Sequence, residues 1–179
     1  MKNYTDFIKD VNEKRQVYDY GCAMLYLNAP GLTEIHSMID PKDIHENGVE
    51  TEPHVTLLYG LHSDEIADNE VLEACEMDSR PVRLYNPSLF ENDEFDVLKF
   101  DAECPELQVA NSRLVKFPHT NKFPDYHPHA TIAYLKPGTG KEYVKKLAGQ
   151  TILAEGQKIV YSKPDGEKVE KKLTTAETK

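Results

Sequence analysis

Apolar and polar residues alternate along this chain in two periods, and the switches between them mark the elements. Residues 20–27 (YGCAMLYL) form a run of β-formers that predicts a first strand, broken by Pro30-Gly31. Leu32, Ile35, Met38 and Ile39 then recur at helical spacing. Ahead of them, Phe7, Ile8 and Val11 predict a short amphipathic helix over residues 3–15. Residues 40–53 are polar and read as a loop. Ser63 is a candidate N-cap for a helix running to about Asp78, with Ile66, Val71, Ala74 and Cys75 turned inward. Strands follow over residues 82–90 and 95–103, with Asn92-Asp93 at the turn. Pro105 suits the first turn of a helix through Leu114. After a Pro- and His-bearing loop over residues 117–128 come a strand ended by Pro137-Gly138 and a short helix over 141–148. Two last strands, 158–162 and 168–173, are joined by the turn signal Pro164-Asp165-Gly166. The tail TTAETK reads as disordered.

Two of the predicted strands are near copies. Pro53-His54-Val55-Thr56-Leu57-Leu58-Tyr59-Gly60 matches Pro128-His129-Ala130-Thr131-Ile132-Ala133-Tyr134-Leu135 at Pro, His, Thr and Tyr. In a strand, alternate side chains share a face. His54 and Thr56 are therefore expected on one face, as are His129 and Thr131. Val55, Leu57 and Tyr59, with Ala130, Ile132 and Tyr134, are expected on the other. The elements around each copy also repeat, as strand, helix, His strand. This predicts an α+β fold over residues 1–179 as one domain, with two pseudo-symmetric lobes sharing a cleft.

Composition narrows the chemistry. The formal net charge of −10 argues against wrapping a long polynucleotide, which relies on clustered Lys and Arg, but leaves room for a small anionic ligand in a local pocket. Cys22, Cys75 and Cys104 are odd in number and unpaired in spacing, which argues for a reducing compartment. The first ten residues, MKNYTDFIKD, lack the apolar core of a signal peptide, and no run reaches the ~20 apolar residues of a membrane span. A soluble cytoplasmic protein is expected.

Of the seven histidines, His36 and His45 read as surface or satisfied core residues, and His62 and His127 as neighbours of the motifs. One His-x-Thr is a weak signal, because so short a pattern arises by chance. Two copies inside matching eight-residue blocks are a strong one. A zinc site built on His127 and His129 with His54 and Asp125 competes. No Cys pair or His-Glu helical pair supports it, and the duplicated Thr would have no use there. No Gly-x-Ser-x-Gly elbow is present. Gly138-Thr139-Gly140-Lys141 lacks the upstream Gly of a phosphate loop and reads as a turn. No metal and no cofactor are expected. Two imidazoles facing one cleft suit phosphodiester cleavage, one taking a proton and the other giving one. Which does which is open at this stage. Thr56 and Thr131 would donate hydrogen bonds to nonbridging phosphate oxygens. Tyr20 and Tyr161 are candidate base-stacking residues, and Lys163 a candidate phosphate contact.

The paired HVTLLYG and HATIAYL resemble the signature of the two-histidine phosphoesterase superfamily, which includes the bacterial RNA ligase-like (LigT-like) cyclic phosphodiesterases. The stretches YDYGCAMLYL, EPHVTLLYGLH and KIVYSKPDG are similar to its phage anti-CBASS branch, nucleases that destroy the cyclic nucleotide signals of bacterial immunity. The resemblance implies a bilobal fold, with two antiparallel sheets flanking the cleft and helices outside. It implies metal-free cleavage of 3′–5′ bonds in cyclic di- and trinucleotides such as cGAMP, in a host bacterial cytoplasm. It carries His54, Thr56, His129 and Thr131 over as catalytic positions. The family's stacking aromatics would have to be Tyr or Phe, since this chain has no Trp. Two other functions compete: a 2′,3′-cyclic phosphodiesterase or ligase acting on RNA ends, and a non-enzymatic cyclic-nucleotide sponge. The acidic balance weakens the first, and two intact His-x-Thr motifs weigh against the second.

Overall fold

The computed structural model describes residues 19–121, 123 and 125–173. The helix expected over residues 3–15 and the tail 174–179 lie outside the described residues. In chain order the elements are β1 (Gly21–Asn28), α1 (Leu32–Met38), β2 (Ile44–Val49), β3 (His54–Leu61), α2 (Asp68–Ala74), β4 (Pro81–Glu91), β5 (Asp96–Glu103), α3 (Pro105–Leu114), β6 (His129–Leu135), α4 (Gly140–Leu147), β7 (Ile152–Ser162) and β8 (Lys168–Lys172).

Every strand pairing is antiparallel. The order β1–β3–β6–β5–β4–β7 returns to β1 and closes a ring, with β2 added beside β6 and β8 beside β7. The two separate sheets expected from the sequence are thus one continuous pairing network. Its two lobes remain visible as seams. β3 meets β6 at a single pair, Val55 with Ala130. β4 meets β7 only where Pro81 to Leu84 face Glu155 to Ile152. Within each lobe the repeat is strand, helix, His strand: β1–α1–β3 and β5–α3–β6.

The four helices among the described residues pack on one face of this network. Leu32 and Ile35, Val71, Leu107 with Ala110 and Leu114, and Tyr143 with Leu147 all enter the main core beside Leu25, Val55, Leu98, Phe100 and Ile159. Burying each large apolar side chain contributes about 1.5–3 kcal/mol. Among the described residues, the opposite face of each lobe carries a small apolar cluster. One is Cys22, Met24 and Val160, flanked by Tyr26 and Tyr59. The other is Phe95, Val97 and Tyr134, flanked by Phe90. Among the described residues, helices cover one face and not the other.

Three expectations need correction. The loop over residues 40–53 contains β2, whose sequence IHENGV is too polar to signal a strand and which pairs with β6 only at Ile44 and Val49. Ser63 caps no long helix. It opens a 3₁₀ turn, and its Oγ meets the Tyr161 hydroxyl at 2.5 Å, while α2 starts five residues later. β7 begins at Ile152, ahead of Lys158, because Glu155-Gly156-Gln157 masks a strand in which Gly156 lies close to Leu25 and Leu173. Gly138 to Gly140 is the turn expected. Its amides at Gly138 and Gly140 both donate to the buried Asp96 carboxylate at 3.0 Å, which holds α4 against β5.

Candidate active site

Both His strands carry a β-bulge at the same motif position. On β3, Met24 faces Thr56 but Ala23 faces Leu58, so Leu57 is the extra residue. On β6, Lys99 faces Thr131 but Leu98 faces Ala133, so Ile132 is the extra residue. A bulge inserts one residue and flips the alternation that follows it. Hence Leu57 and Leu58 are both buried, as are Ile132 and Ala133. The matching tyrosines move to the opposite face from that expected. Tyr59 faces Cys22 and Tyr134 faces Val97, so each packs in the small cluster on the His side. The repeat therefore encodes a kinked strand that brings His, Thr and Tyr to one face.

Each bulge leaves a carbonyl that a helix side chain captures. Asn111 Nδ2 on α3 donates to the Leu57 carbonyl at 2.7 Å. On the other side, His36 Nε2 on α1 donates to the Ile132 carbonyl at 3.0 Å. The reading of His36 as a satisfied residue agrees with this bond.

The two motif imidazoles are held alike. His54 Nδ1 lies 3.0 Å from the Glu52 carbonyl, and His129 Nδ1 lies 2.9 Å from the His127 carbonyl. A carbonyl only accepts, so each Nδ1 carries the proton, and in the neutral ring Nε2 holds the lone pair. That is the tautomer a proton acceptor needs. Each ring also has an aromatic neighbour with a lysine over it. Tyr26, directly across from His54, stacks on it at 5.2 Å and 23°, and the Lys158 ammonium is 5.4 Å from the Tyr26 centroid. Phe90 meets His129 edge-on at 5.3 Å, and the Lys99 ammonium is 4.7 Å from the Phe90 centroid.

The electrostatics of the two sides differ. Burial pushes the His129 imidazole down to about 4; the His127 carbonyl and Asp101 oppose the shift, while Lys99 and His54 add to it. His54 is thus close enough for its charge to act on His129. Beside His54, burial pushes the Tyr26 phenol up to about 12, with Glu52, Glu50 and Glu170 adding to the shift. Burial also raises the Cys22 thiol, so it is an inert apolar filler beside the Thr56 hydroxyl. A cavity of about 500 Å³ opens beside the His129 end of β6, between Tyr85, Asp101, Tyr126 and His127.

The structure brings His54, Thr56, His129 and Thr131 to one face. It sets the other candidates apart. Tyr161 faces Ala23 on the helix-covered side and is fully buried, so its ring is core and cannot stack on a ligand. Lys163 Nζ is engaged by Asp68 at 3.2 Å and Glu167 at 3.2 Å. Tyr20 stacks on His62 at 5.7 Å and meets Tyr59 edge-on at 5.8 Å, which sets it at the far end of the His54 face. Sequence reasoning missed Tyr26, Phe90, Lys99, Asp101 and Lys158. The signal for one pair was present: Lys99 and Asp101 interrupt the apolar middle of β5, residues 97–102, two residues apart, which puts both on one face. Among the described residues no cluster of three or more His, Cys, Asp or Glu is arranged to hold a metal ion.

No family model matches the sequence, and no curated protein matches it. Solved structures do resemble it in shape. A phosphoesterase crystal structure aligns with TM-score 0.49 and 11% identity, covering 86% of this chain and 98% of that one. E. coli LigT in its apo form aligns with TM-score 0.48 and 11% identity, covering 87% and 96%. LigT complexed with 3′-AMP aligns with TM-score 0.48 and 12% identity, covering 87% and 99%.

Proposed function

We propose that this protein is a metal-independent phosphodiesterase that cleaves 3′–5′ bonds in small cyclic nucleotides. The observation that carries the reading is the pair of imidazoles, each fixed through Nδ1 to a carbonyl two residues upstream, sharing one face with two threonines. One imidazole takes the proton of a ribose 2′-OH, which attacks the adjacent phosphorus. The other gives its proton to the departing 5′ oxygen. Each transfer contributes about 10²–10⁴-fold. Thr56 and Thr131 donate to the nonbridging oxygens where charge develops. The product is a 2′,3′-cyclic phosphate, which water opens by the reverse use of the pair.

The net charge of −10, with Lys99 and Lys158 beside the two imidazoles, favours a small anion over a long RNA track. The likeness of three sequence stretches to the phage anti-CBASS branch points to cyclic di- and trinucleotide immune signals as the substrate class.

The test is chromatography of cyclic GMP-AMP isomers and of a tRNA fragment, each incubated with equal enzyme in the presence of EDTA. We expect cleavage at 3′–5′ bonds and little cleavage of a ring whose bonds are both 2′–5′, because the attacking oxygen is then used up. His54→Ala and His129→Ala should each abolish turnover, and the double variant should be little worse, since acid and base act as a unit. Rapid cutting of the RNA with intact cyclic dinucleotides would instead indicate an enzyme of RNA ends. Tight binding of the ring without product would indicate a sponge.

A further inference from the structure

Among the described residues one non-glycine residue has a left-handed backbone: Asn86, at φ 52. It sits where the pairing of β4 with β5 slips between Tyr85 and Ser88. A backbone held this way costs on the order of 1–3 kcal/mol and persists only where its surroundings enforce it. What the kink achieves is visible in the side chains. Asn86 Nδ2 donates to Asp101 Oδ2 at 2.8 Å. Asp101 lies directly across β5–β6 from His129. Its other oxygen is 3.5 Å from Lys99 Nζ, which also donates to Ser88 Oγ at 2.8 Å. Lys99 in turn faces Thr131 and is largely buried, with 12% of its side chain exposed. Asn86, Ser88, Lys99 and Asp101 therefore form one hydrogen-bonded group against the His129 imidazole. The counterpart beside His54 is more exposed and has no carboxylate directly across from the ring: among the described residues His54 faces Tyr26, and Lys158, with 27% of its side chain exposed, lies over the Tyr26 ring and pairs with Glu170 at 3.1 Å.

We propose that Lys99 and Asp101, the latter aimed by Asn86, are positioning residues that make His129 the proton acceptor of the reaction and leave His54 as the proton donor. The proposal rests on the phosphodiesterase reading and adds direction to it. The O2′ proton passes to His129 Nε2 as O2′ bonds to phosphorus. The P–O5′ bond breaks, and the proton on His54 Nε2 goes to O5′. A buried ammonium beside His129 disfavours the imidazolium before the proton arrives. The Asp101 carboxylate tempers that effect, so the ring can still hold the proton once taken. Among the described residues, the charged groups acting on His129 include Lys99 and Asp101 from β5 and His54 from β3; β4 contributes the uncharged Phe90 and Ser88. Burial and Lys99 hold the ring neutral at pH 7, consistent with its role as acceptor.

Two measurements test this. The first is an NMR titration of the imidazole protons in the intact protein without substrate. Lys99→Met should raise the His129 midpoint by roughly one unit, Asp101→Asn should lower it, and Lys99→Arg should leave it unchanged. Asn86→Gly keeps the left-handed backbone and removes only the amide, and it too should move the midpoint. If Lys99→Met and Asp101→Asn shift the midpoint in the same direction or not at all, the charge assignment is overturned. An unmoved midpoint in Asn86→Gly removes Asn86 from it.

The second measurement compares a 3′–5′ dinucleotide with a ribonucleoside 3′-(4-nitrophenyl phosphate), whose leaving group departs without a proton. On the dinucleotide His54→Ala should lose about 10²–10⁴-fold, and on the nitrophenyl ester it should approach wild type. His129→Ala should fail on both. The reverse pattern overturns the roles. If the wild-type protein cuts neither compound, the phosphodiesterase reading fails, while the titration still decides whether Lys99 and Asp101 set the charge of His129.

Discussion

Val55 lies opposite Ala130, and this is the point at which the two His strands pair. Because the two strands run antiparallel through that single pair, the His54 end of one motif lies toward the Thr131 side of the other, and Thr56 toward His129. Both central side chains are fully buried on the helix side, so the four polar groups turn the other way. We predict that Thr56→Val and Thr131→Val, which keep the branched shape, each lower kcat by about 10²–10³-fold, the cost of removing one oxyanion donor. KM should change far less. Steady-state kinetics on a cyclic dinucleotide decides this, and unchanged kcat in either variant would remove that hydroxyl from the mechanism.

Most of the repeat was legible because its two signals, a duplicated motif and β-forming residues between turns, are local. α3 runs from Pro105 to Leu114, as the proline and the spacing of Leu107, Ala110 and Leu114 require. The bulges were not legible. Leu57 and Leu58, like Ile132 and Ala133, are apolar whichever face they take, so the pattern hides the slip that turns Tyr59 and Tyr134 around. Tyr161 misled for a related reason: its face is set by pairing with β1, which no short stretch reveals. The Asn86–Asp101 bond depends on a kink in β4 that joins residues from two strands, and Asn-Pro within a strand gives only a hint of it.

The bulges also have a stability cost that can be measured. A buried carbonyl deprived of its donor costs about 1–3 kcal/mol. Asn111→Leu should lose that much by stranding the Leu57 carbonyl. His36→Leu should lose less, because the Glu50 amide also donates to the Ile132 carbonyl at 2.9 Å. Urea denaturation reads both values. Equal losses would mean that the backbone bond does not compensate.

Gly60 ends the first motif at φ 121, a backbone that L side chains rarely adopt, and a Cβ there would overlap the Thr120 carbonyl oxygen. The Thr120 amide donates to the Gly60 carbonyl at 2.8 Å, and His62 Nε2 is 2.8 Å from Thr120 Oγ1. Through these bonds the loop leading to the second motif is fixed to the end of the first. We predict that Gly60→Ala destabilises the fold by about 1–3 kcal/mol and loosens residues 119–121. Hydrogen exchange should show faster exchange at Thr120. Wild-type protection would count against this anchoring.

The proton state of His129 sets a pH dependence of stability with a definite sign. In the fold burial holds its imidazole at about 4, against an ordinary value of 6.5. Between those values the unfolded chain binds a proton that the folded chain does not. Stability therefore rises with pH across this window. The contribution is fully present above about pH 6.5 and is lost as pH falls toward 4. Carboxylates titrate over part of the same range, so the comparison must be between variants. We predict that the urea midpoint of the wild-type protein falls more steeply from pH 7 to pH 4.5 than that of His129→Gln. Lys99→Met should lie between them, because removing the ammonium lets the folded ring accept its proton at higher pH. Parallel slopes for all three proteins would show that His129 titrates in the fold as it does in the unfolded chain.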